Sequence, residues 1–333
     1  MADIDIEVEE GPSRSLDFRV GWGSYELAMG SVTYRDLNFL GRGRAFEVTP
    51  MVSVRSQGVD VIVEDPWILG DQTLVFLKGS ALRREEPFFD YRLYGFEAAV
   101  ERRFLQRFLV RAGYRLVAEE ADNIASDASL YVQDLVGNFR RSAGIHVAVR
   151  WDTRDDPFLP TRGALLRAAA FWSTPSLGAN LAYLEVDLSA ADHLPLGPVG
   201  VLMIGGRFQT RKPLEGQRVL PIQLRYFLGG SETVRSFFRS ELTPIDATGA
   251  GIGGHSAAHA TLELRRGIHQ ALHGAVFTDV GWVSTRDFDI GGACGYGIGA
   301  GLRYYLPIGP VRLDAASNPG DLWAAARRWP LHL

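Results

Sequence analysis

Apolar and polar residues alternate along most of this chain with a period of two, which is typical of β-strands with one apolar and one polar face. The first such stretch places apolar side chains at Leu16, Phe18, Val20 and Trp22. No segment sustains a convincing helical period. The pattern therefore predicts an all-β fold, with sixteen strands at about 16–25, 28–37, 43–54, 58–65, 71–84, 90–101, 106–119, 140–152, 164–174, 180–193, 199–211, 255–266, 273–283, 294–306, 310–317 and 322–333.

The connections between the predicted strands fall into two alternating sets. One set is compact and rich in turn residues, as in LNFLGRG at 37–43 and HLPLGP at 193–198. The other set is longer and more polar, at 83–90, 119–139, 211–254 and 284–293. Short turns at one end and long loops at the other are typical of an outer-membrane β-barrel whose termini both lie on the periplasmic side. The even strand number agrees with this architecture.

The two faces of the predicted strands differ as expected for a barrel in lipid. The polar faces carry Arg, Glu and Asp, whereas the apolar faces are continuous and bordered by aromatic residues. A barrel strand needs only about ten residues, and alternate ones face lipid. The mean hydropathy of −0.02 agrees with such alternation. We therefore predict a transmembrane antiparallel β-barrel with a hydrated lumen.

Composition narrows the classes of function. The chain has 333 residues and a formal net charge of −4, which gives no reason to expect a nucleic-acid partner. Cys294 is the single cysteine, so no intramolecular disulfide is expected. The sequence contains no evident catalytic triad or phosphate-binding glycine loop, and the spacing of His255 and His259 does not indicate metal geometry. We predict no enzyme activity, no cofactor and no metal site.

The long connection at 211–254 contains the least strand-like stretch, FLGGSETVRSFFRSEL at 227–242. Gly229 and Gly230 permit a tight reversal, Phe237 offers apolar contact, and Arg235 needs an acidic partner if it is buried. A connection this long in an all-β chain is either functional or disordered. The stretch suggests a loop that folds back and docks. Composition alone favours a solvated surface loop, and the rest of the chain reverses that preference.

Several segments together resemble one family. Val234-Arg235-Ser236-Phe237, preceded by the two glycines, resembles the VRG(F/Y) signature of that family's sixth outer loop. The other matching segments are YRDLNFLG at 34–41, WDTRDDPFLPTRG at 151–163, LELR at 262–265, VFTDVG at 276–281, GLRY at 301–304 and PIGP at 307–310. Over nearly its whole length the chain therefore resembles the membrane barrel of the outer-membrane insertase superfamily of BamA/TamA type, also called the bacterial surface antigen family.

The resemblance implies that Arg235 lies in the lumen, bonded to acidic residues of the barrel wall. The residues themselves suggest which ones. Phe277 and Asp279 share one face of a strand, and that face should be the lumen because an aspartate is costly in hydrocarbon. Glu263 lies on the polar face of the preceding strand. We predict that Arg235 pairs with Asp279 and Glu263 above Phe277; the alternative is that these acids are ordinary hydrated lumen charges.

The predicted site has two parts, a loop lock and its partners on the wall. The loop lock comprises Gly229, Gly230, Val234, Arg235, Ser236 and Phe237, and the wall partners are Glu263, Phe277 and Asp279. Ser236 replaces the glycine of the family signature. Because serine is penalised at positive φ, we expect an altered loop tip.

The first and last strands form a seam, which the resemblance implies is a lateral gate. The predicted seam residues are Leu16, Phe18, Val20 and Trp22 on the first strand and Trp329 and Leu331 on the last. Pro330 cannot donate a ladder hydrogen bond, so the closing strand is expected to be short or truncated. Residues 1–12 are expected to be the remnant of a POTRA-like domain, and 13–333 the barrel.

The resemblance implies an outer-membrane factor that inserts or exports proteins by pairing their strands with this seam. Expected partners are outer-membrane lipids and lipopolysaccharide, nascent outer-membrane or secreted proteins, and a periplasmic or inner-membrane assembly partner. Three alternatives remain open: a passive or gated pore, a barrel that anchors or secretes a fused N-terminal module, and a soluble all-β enzyme.

Overall fold

The strands form one antiparallel sheet in which each strand pairs with the next along the chain. The computed structural model describes residues 11–70, 73–87, 89–122, 139–217, 219–247, 249–306, 309–319 and 331–332. The strands are β1 Arg14–Gly23, β2 Leu27–Phe39, β3 Arg44–Ser53, β4 Ser56–Asp65, β5 Thr73–Glu85, β6 Asp90–Phe104, β7 Phe108–Asp122, β8 Arg140–Asp152, β9 Gly163–Ser173, β10 Tyr183–Pro195, β11 Val201–Pro213, β12 Ser256–His269, β13 Leu272–Ser284, β14 Ala293–Leu306, β15 Gly309–Ser317 and the two-residue β16 Leu331–His332. Short 3-10 turns lie at Pro175–Leu177, Gly197–Val199 and Ile222–Leu224. No helix in the described ranges is long and apolar enough to cross a membrane.

The predicted all-β antiparallel architecture is confirmed, and each of the first fifteen predicted segments overlaps one observed strand. Of the sixteenth, the structure describes only Leu331–His332, which pair with Ala315 and Asp314 of β15. Residues 320–330, which include Trp329, lie outside the described residues, and so do residues 1–10 of the predicted POTRA-like remnant. The count of sixteen strands therefore stays a prediction.

The two faces of the sheet separate apolar from charged side chains. On one face, apolar residues at alternate positions are exposed, as at Val20 (89%), Val276 (55%) and Ile298 (51%). On the other face, charged residues pair across neighbouring strands, as Lys78 does with Asp60 at 2.9 Å. This is the reverse of a soluble sandwich, in which apolar side chains fill the interior. We call the space bounded by the charged face the lumen.

The charged face curls around the connection between β11 and β12, which covers 214–255. Early in this connection, Leu220 and Leu224 pack with Phe171 of β9 and Tyr183 of β10. Further along, Val234 belongs to an apolar cluster that includes residues of β12 and β13. Because one connection contacts both walls on their charged face, it lies inside the lumen.

Candidate functional site

Arg235 lies at the centre of a buried ion cluster on the lumen face of β12–β15. Its Nε and Nη2 atoms donate hydrogen bonds to Oδ2 and Oδ1 of Asp279 at 2.8 and 2.9 Å. Its backbone N–H donates to Asp279 Oδ2 at 3.1 Å, and its Nη1 donates to Glu263 Oε2 at 2.9 Å. The Arg235 side chain is 5% exposed and that of Asp279 is 0% exposed. Both acidic residues singled out in the sequence therefore contact the guanidinium, whose planar fork fits two carboxylates.

Two further charged residues, which sequence reasoning did not place in the site, complete the cluster. Asp314 of β15 accepts a hydrogen bond from Arg235 Nη1 at 3.2 Å. Arg303 of β14 donates to both Asp314 oxygens, and its Nη2 donates to Glu263 Oε2 at 3.0 Å. Two guanidinium groups thus share three carboxylates, and each of these residues is at most 9% exposed. A buried charge is costly without a partner, so removing one member leaves the others uncompensated.

Phe277 lies beneath the guanidinium, as the sequence suggested. The Arg235 Cζ atom is 3.3 Å from the centroid of the Phe277 ring, a cation–π contact. Thr261 Oγ1 also donates to Asp279 Oδ1 at 2.9 Å. The ring and these donors enclose the charged groups, which strengthens the electrostatic interactions between them.

Glycines on the lumen face of β14 allow the loop to lie directly on the strand. A Cβ atom at Gly295 would lie 2.6 Å from the ring of Phe237, and one at Gly297 would collide with Ser236. A side chain at either position would displace the loop. These alternating glycines therefore act as a docking surface, a use of glycine expected where another backbone approaches closely.

Positive φ angles in the loop occur at the predicted glycines but not at the signature serine. Gly229 and Gly230 have φ of 111° and 92°, and the other positive φ within residues 227–242 is 62° at Ser240. Ser236 is therefore not at positive φ, and the altered loop tip stays a prediction. Ser236 Oγ donates to the backbone oxygen of Tyr296 on β14 at 3.1 Å.

A second arginine attaches the loop to the connections between the first strands of the sheet. Arg239 Nε and Nη2 donate to Glu86, in the β5–β6 connection, at 3.0 and 2.8 Å. Its Cζ atom lies 4.7 Å from the ring centroid of Tyr25 in the β1–β2 turn, and Arg55 approaches the same ring to 4.8 Å. Burial, with the Glu86 carboxylate, raises the pKa of Tyr25 to about 12. The loop thus bridges β12–β15 and the first strands of the sheet.

The predicted seam residues of β1 share a common geometry. Their side chains lie on the apolar face, with Phe18 70% and Val20 89% exposed. Leu37 donates its N–H to the oxygen of Ser13 at 2.7 Å, and the ladder continues without a register shift. Hydrogen-bonded pairs alternate in an antiparallel ladder, so odd residues from Ser13 onward bond to β2. The backbone groups of Leu16, Phe18, Val20 and Trp22 therefore point away from β2, toward an edge with no pairing strand in the described ranges.

Strand register was the missing signal for the unpredicted members of the cluster. Arg303 and Asp314 stand at alternating positions in GLRYY and VRLDAAS, so the sequence indicates on which face of its strand each side chain lies. Their proximity follows only from the pairing of Gly301 with Asp314 and of Arg303 with Arg312. Arg239 and Glu86 are 153 residues apart, and no local pattern connects them.

The charged lumen, apolar exterior and inward-docked loop define a β-barrel of the kind predicted from the sequence. Residues 38–321 match the Omp85 superfamily domain, so this chain belongs to the Omp85 superfamily. The family resemblance drawn from the sequence motifs is thereby confirmed.

The chain is similar to the outer membrane protein assembly factor BamA of Nitratidesulfovibrio vulgaris, with 24% identity over 317 residues. That match covers 93% of this chain and 40% of the relative, so the chain spans well under half the length of that curated protein. The fold is similar to that of Haemophilus ducreyi BamA lacking POTRA domains 1–3, with a TM-score of 0.83, 18% identity and coverage of 98% of this chain and 70% of the other. It is also similar to CdiB from Escherichia coli, with a TM-score of 0.58, 15% identity and coverage of 98% and 62%.

Proposed function

We propose that this chain is the outer-membrane barrel of a factor that inserts or exports substrate proteins by pairing their strands with its first/last-strand seam. The observation that carries the proposal is the edge of β1. The backbone N–H and C=O groups of Leu16, Phe18, Val20 and Trp22 point outward from this edge. No strand in the described part of the chain pairs with them. Such an edge is a template for strand addition. Membership of the Omp85 superfamily and similarity to an assembly factor support the same function.

The outer membrane is the proposed location, with both termini on the periplasmic side. The exposed apolar face suits the acyl chains of outer-membrane lipids and lipopolysaccharide. Residues 1–12 are proposed to be the end of a POTRA-like domain. Nascent outer-membrane or secreted proteins are the proposed substrates, with a periplasmic or inner-membrane partner that delivers them.

The loop lock is proposed to stiffen one wall of the barrel while the seam remains free to exchange partners. Arg235 ties the loop to Glu263, Asp279 and Asp314 on three strands, β12, β13 and β15. Those strands precede the closing end of the sheet. A rigid wall next to a weak seam would confine opening to the seam.

The seam proposal is tested by two proline substitutions at adjacent positions of β1. Phe18→Pro removes an N–H that points to the open edge, whereas Arg19→Pro removes one that bonds to β2. Proteoliposomes containing each variant are given a urea-denatured outer-membrane barrel, and its folding is followed by its heat-modifiable band on a gel. Phe18→Pro is expected to reduce substrate folding strongly while the chain itself remains folded. Full activity of Phe18→Pro would contradict strand pairing at this edge.

A gated pore is the second candidate, because the lumen contains a cavity of about 810 Å³ lined largely by charged and small residues. The loop contacts described above fill the lumen beside this cavity and favour the assembly function. The same proteoliposomes distinguish the two candidates. Steady conductance without any acceleration of substrate folding would favour the pore.

A further inference from the structure

Three arginines form a row on the lumen wall next to the loop lock. Arg150 of β8 stands directly opposite Arg167 of β9 in the strand register. Arg167 stands opposite Ser189 of β10, which in turn stands opposite Arg207 of β11. Like charges directly opposite each other in an antiparallel sheet are destabilising. The row therefore needs negative charge nearby.

The acidic residues around this row are already engaged. Asp152 accepts from Arg150 at 2.5 Å and also from Arg154 at 2.9 Å. Arg167 has no hydrogen bond or ion pair with any residue that the structure describes. Its side chain is exposed in the lumen, where Arg150, Arg154 and Arg207 repel it and Asp152 attracts it.

The remaining arginine of the row, Arg207, is held by Asp187. Arg154 shares Asp152 with Arg150 and is also attracted by Asp156. Arg167 is therefore the one arginine of the row that has no acidic partner among the described residues. The row lines the cavity of about 810 Å³, which is also bounded by Arg111 and Arg312. Arg111 pairs with Glu101, and Arg312 pairs with Glu232 and with Asp314, which it shares with Arg235 and Arg303. We call the part of this cavity next to Arg150, Arg167 and Arg207 the arginine chamber.

We propose that the arginine chamber binds an oxyanion of the phosphate class, with Arg167 as the principal contact and Arg150 and Arg207 at its flanks. Such an anion supplies the counterion that Arg167 lacks among the described residues. The planar guanidinium fork is suited to paired phosphate oxygens. The site is independent of the seam, so it can be tested whether or not the chain assembles other proteins.

The test uses the folded chain in phosphate-free maltoside micelles. Its thermal unfolding midpoint is measured while sodium phosphate is titrated against sodium chloride at matched ionic strength. Phosphate is expected to raise the midpoint saturably, because a ligand that binds only the folded state stabilises it. Arg167→Gln is expected to weaken phosphate binding about tenfold or more, as one charge-assisted contact is lost. Arg42→Gln, at an exposed turn position, is the matched control and should respond like the parent.

A second readout separates a binding residue from a structural one. Without phosphate, Arg167→Gln should unfold at the same temperature as the parent or higher, because the substitution removes repulsion and breaks no described contact. An undiminished phosphate response in Arg167→Gln, or a lower midpoint without phosphate, would overturn the proposal. Micelles doped with phosphatidylglycerol test the lipid source. Stabilisation by the lipid alone, with none from free phosphate, would also overturn it, because lipid headgroups lie outside the lumen.

Discussion

Arg235 and Arg239 are four residues apart in one loop, and each presents its guanidinium fork to a carboxylate. Arg235 is 5% exposed and contacts three acidic residues, with the Phe277 ring beneath it. Arg239 is 34% exposed and contacts Glu86, with the Tyr25 ring beneath it. The two contacts look alike in bond length and differ in their surroundings.

The difference indicates that the two ends of the loop are held with unequal strength. Water screens an exposed ion pair, which typically contributes no more than about 1 kcal/mol. A buried ion cluster contributes little more to stability than an apolar replacement would, but loss of one partner leaves the remaining buried charges uncompensated. The loop should therefore be anchored firmly to β12–β15 and weakly to the first strands.

The largest effect is expected from Arg235→Ala. The substitution leaves Glu263, Asp279 and Asp314 buried, with Arg303 and, at Asp314, Arg312 as the remaining counterions. We expect a loss of about 3–5 kcal/mol of stability, measured as a lower urea midpoint of the heat-modifiable band in detergent. Arg42→Ala, at an exposed turn position, is the neutral control, and it suits this purpose better than Arg239, which has its own anchor. Equal midpoints for Arg235→Ala and Arg42→Ala would contradict a structural role for the cluster.

A smaller loss is expected from Gly295→Val, which tests the docking surface without touching a charge. The added side chain meets the Phe237 ring and should force the loop off β14, at a cost of about 1–3 kcal/mol typical of overpacking. Limited proteolysis should then cut within 229–242. Gly79→Val is the matched control, because a Cβ at Gly79 has nothing within 4 Å. If Gly79→Val is cleaved as readily as Gly295→Val, the glycines do not hold the loop.

The comparison also shows how far sequence reasoning reaches. Period-two alternation located β1–β15 because each strand has one lipid-type and one lumen-type face, and a one-residue shift would reverse every side chain. The same alternation put Asp279 and Phe277 on one face. The family signature then singled out Arg235 as the residue that enters the lumen.

Contacts that depend on strand register or on the path of a loop could not be predicted from the sequence. Asp314 enters the cluster because β14 and β15 pair in one particular register, which β14, with its several glycines, specifies weakly by itself. The Arg239 contact with Glu86 depends on the path of a long connection across the lumen. Neither path nor register is encoded in a local pattern.

A still smaller effect is expected from Arg239→Ala, with a loss of about 1 kcal/mol from one partly exposed ion pair and one cation–π contact. Salt sharpens the contrast with Arg235. At 1 M NaCl the screening length is about 3 Å, so the difference between Arg239→Ala and the parent should shrink. The deficit of Arg235→Ala should persist because its partners are buried. Urea midpoints at 0.1 and 1 M NaCl measure both, and parallel salt responses would mean that the two anchors are alike.

The smallest effect is expected from Tyr25→Phe, and it appears mainly at high pH. The phenol donates to the backbone oxygen of Glu85 at 2.7 Å, and its pKa is raised from 10.0 to about 12. A raised pKa in an acid means that the folded state retains the proton better than the unfolded chain. The associated stability is therefore present in full below pH 10 and is lost as pH rises to about 12. Tyr25→Phe should remove this part of the pH dependence, seen as a flatter midpoint between pH 10 and 12 than in the parent. If the two proteins have superimposable profiles of unfolding midpoint against pH, the surroundings of Tyr25, including Arg239 and Glu86, do not shift the pKa of its hydroxyl.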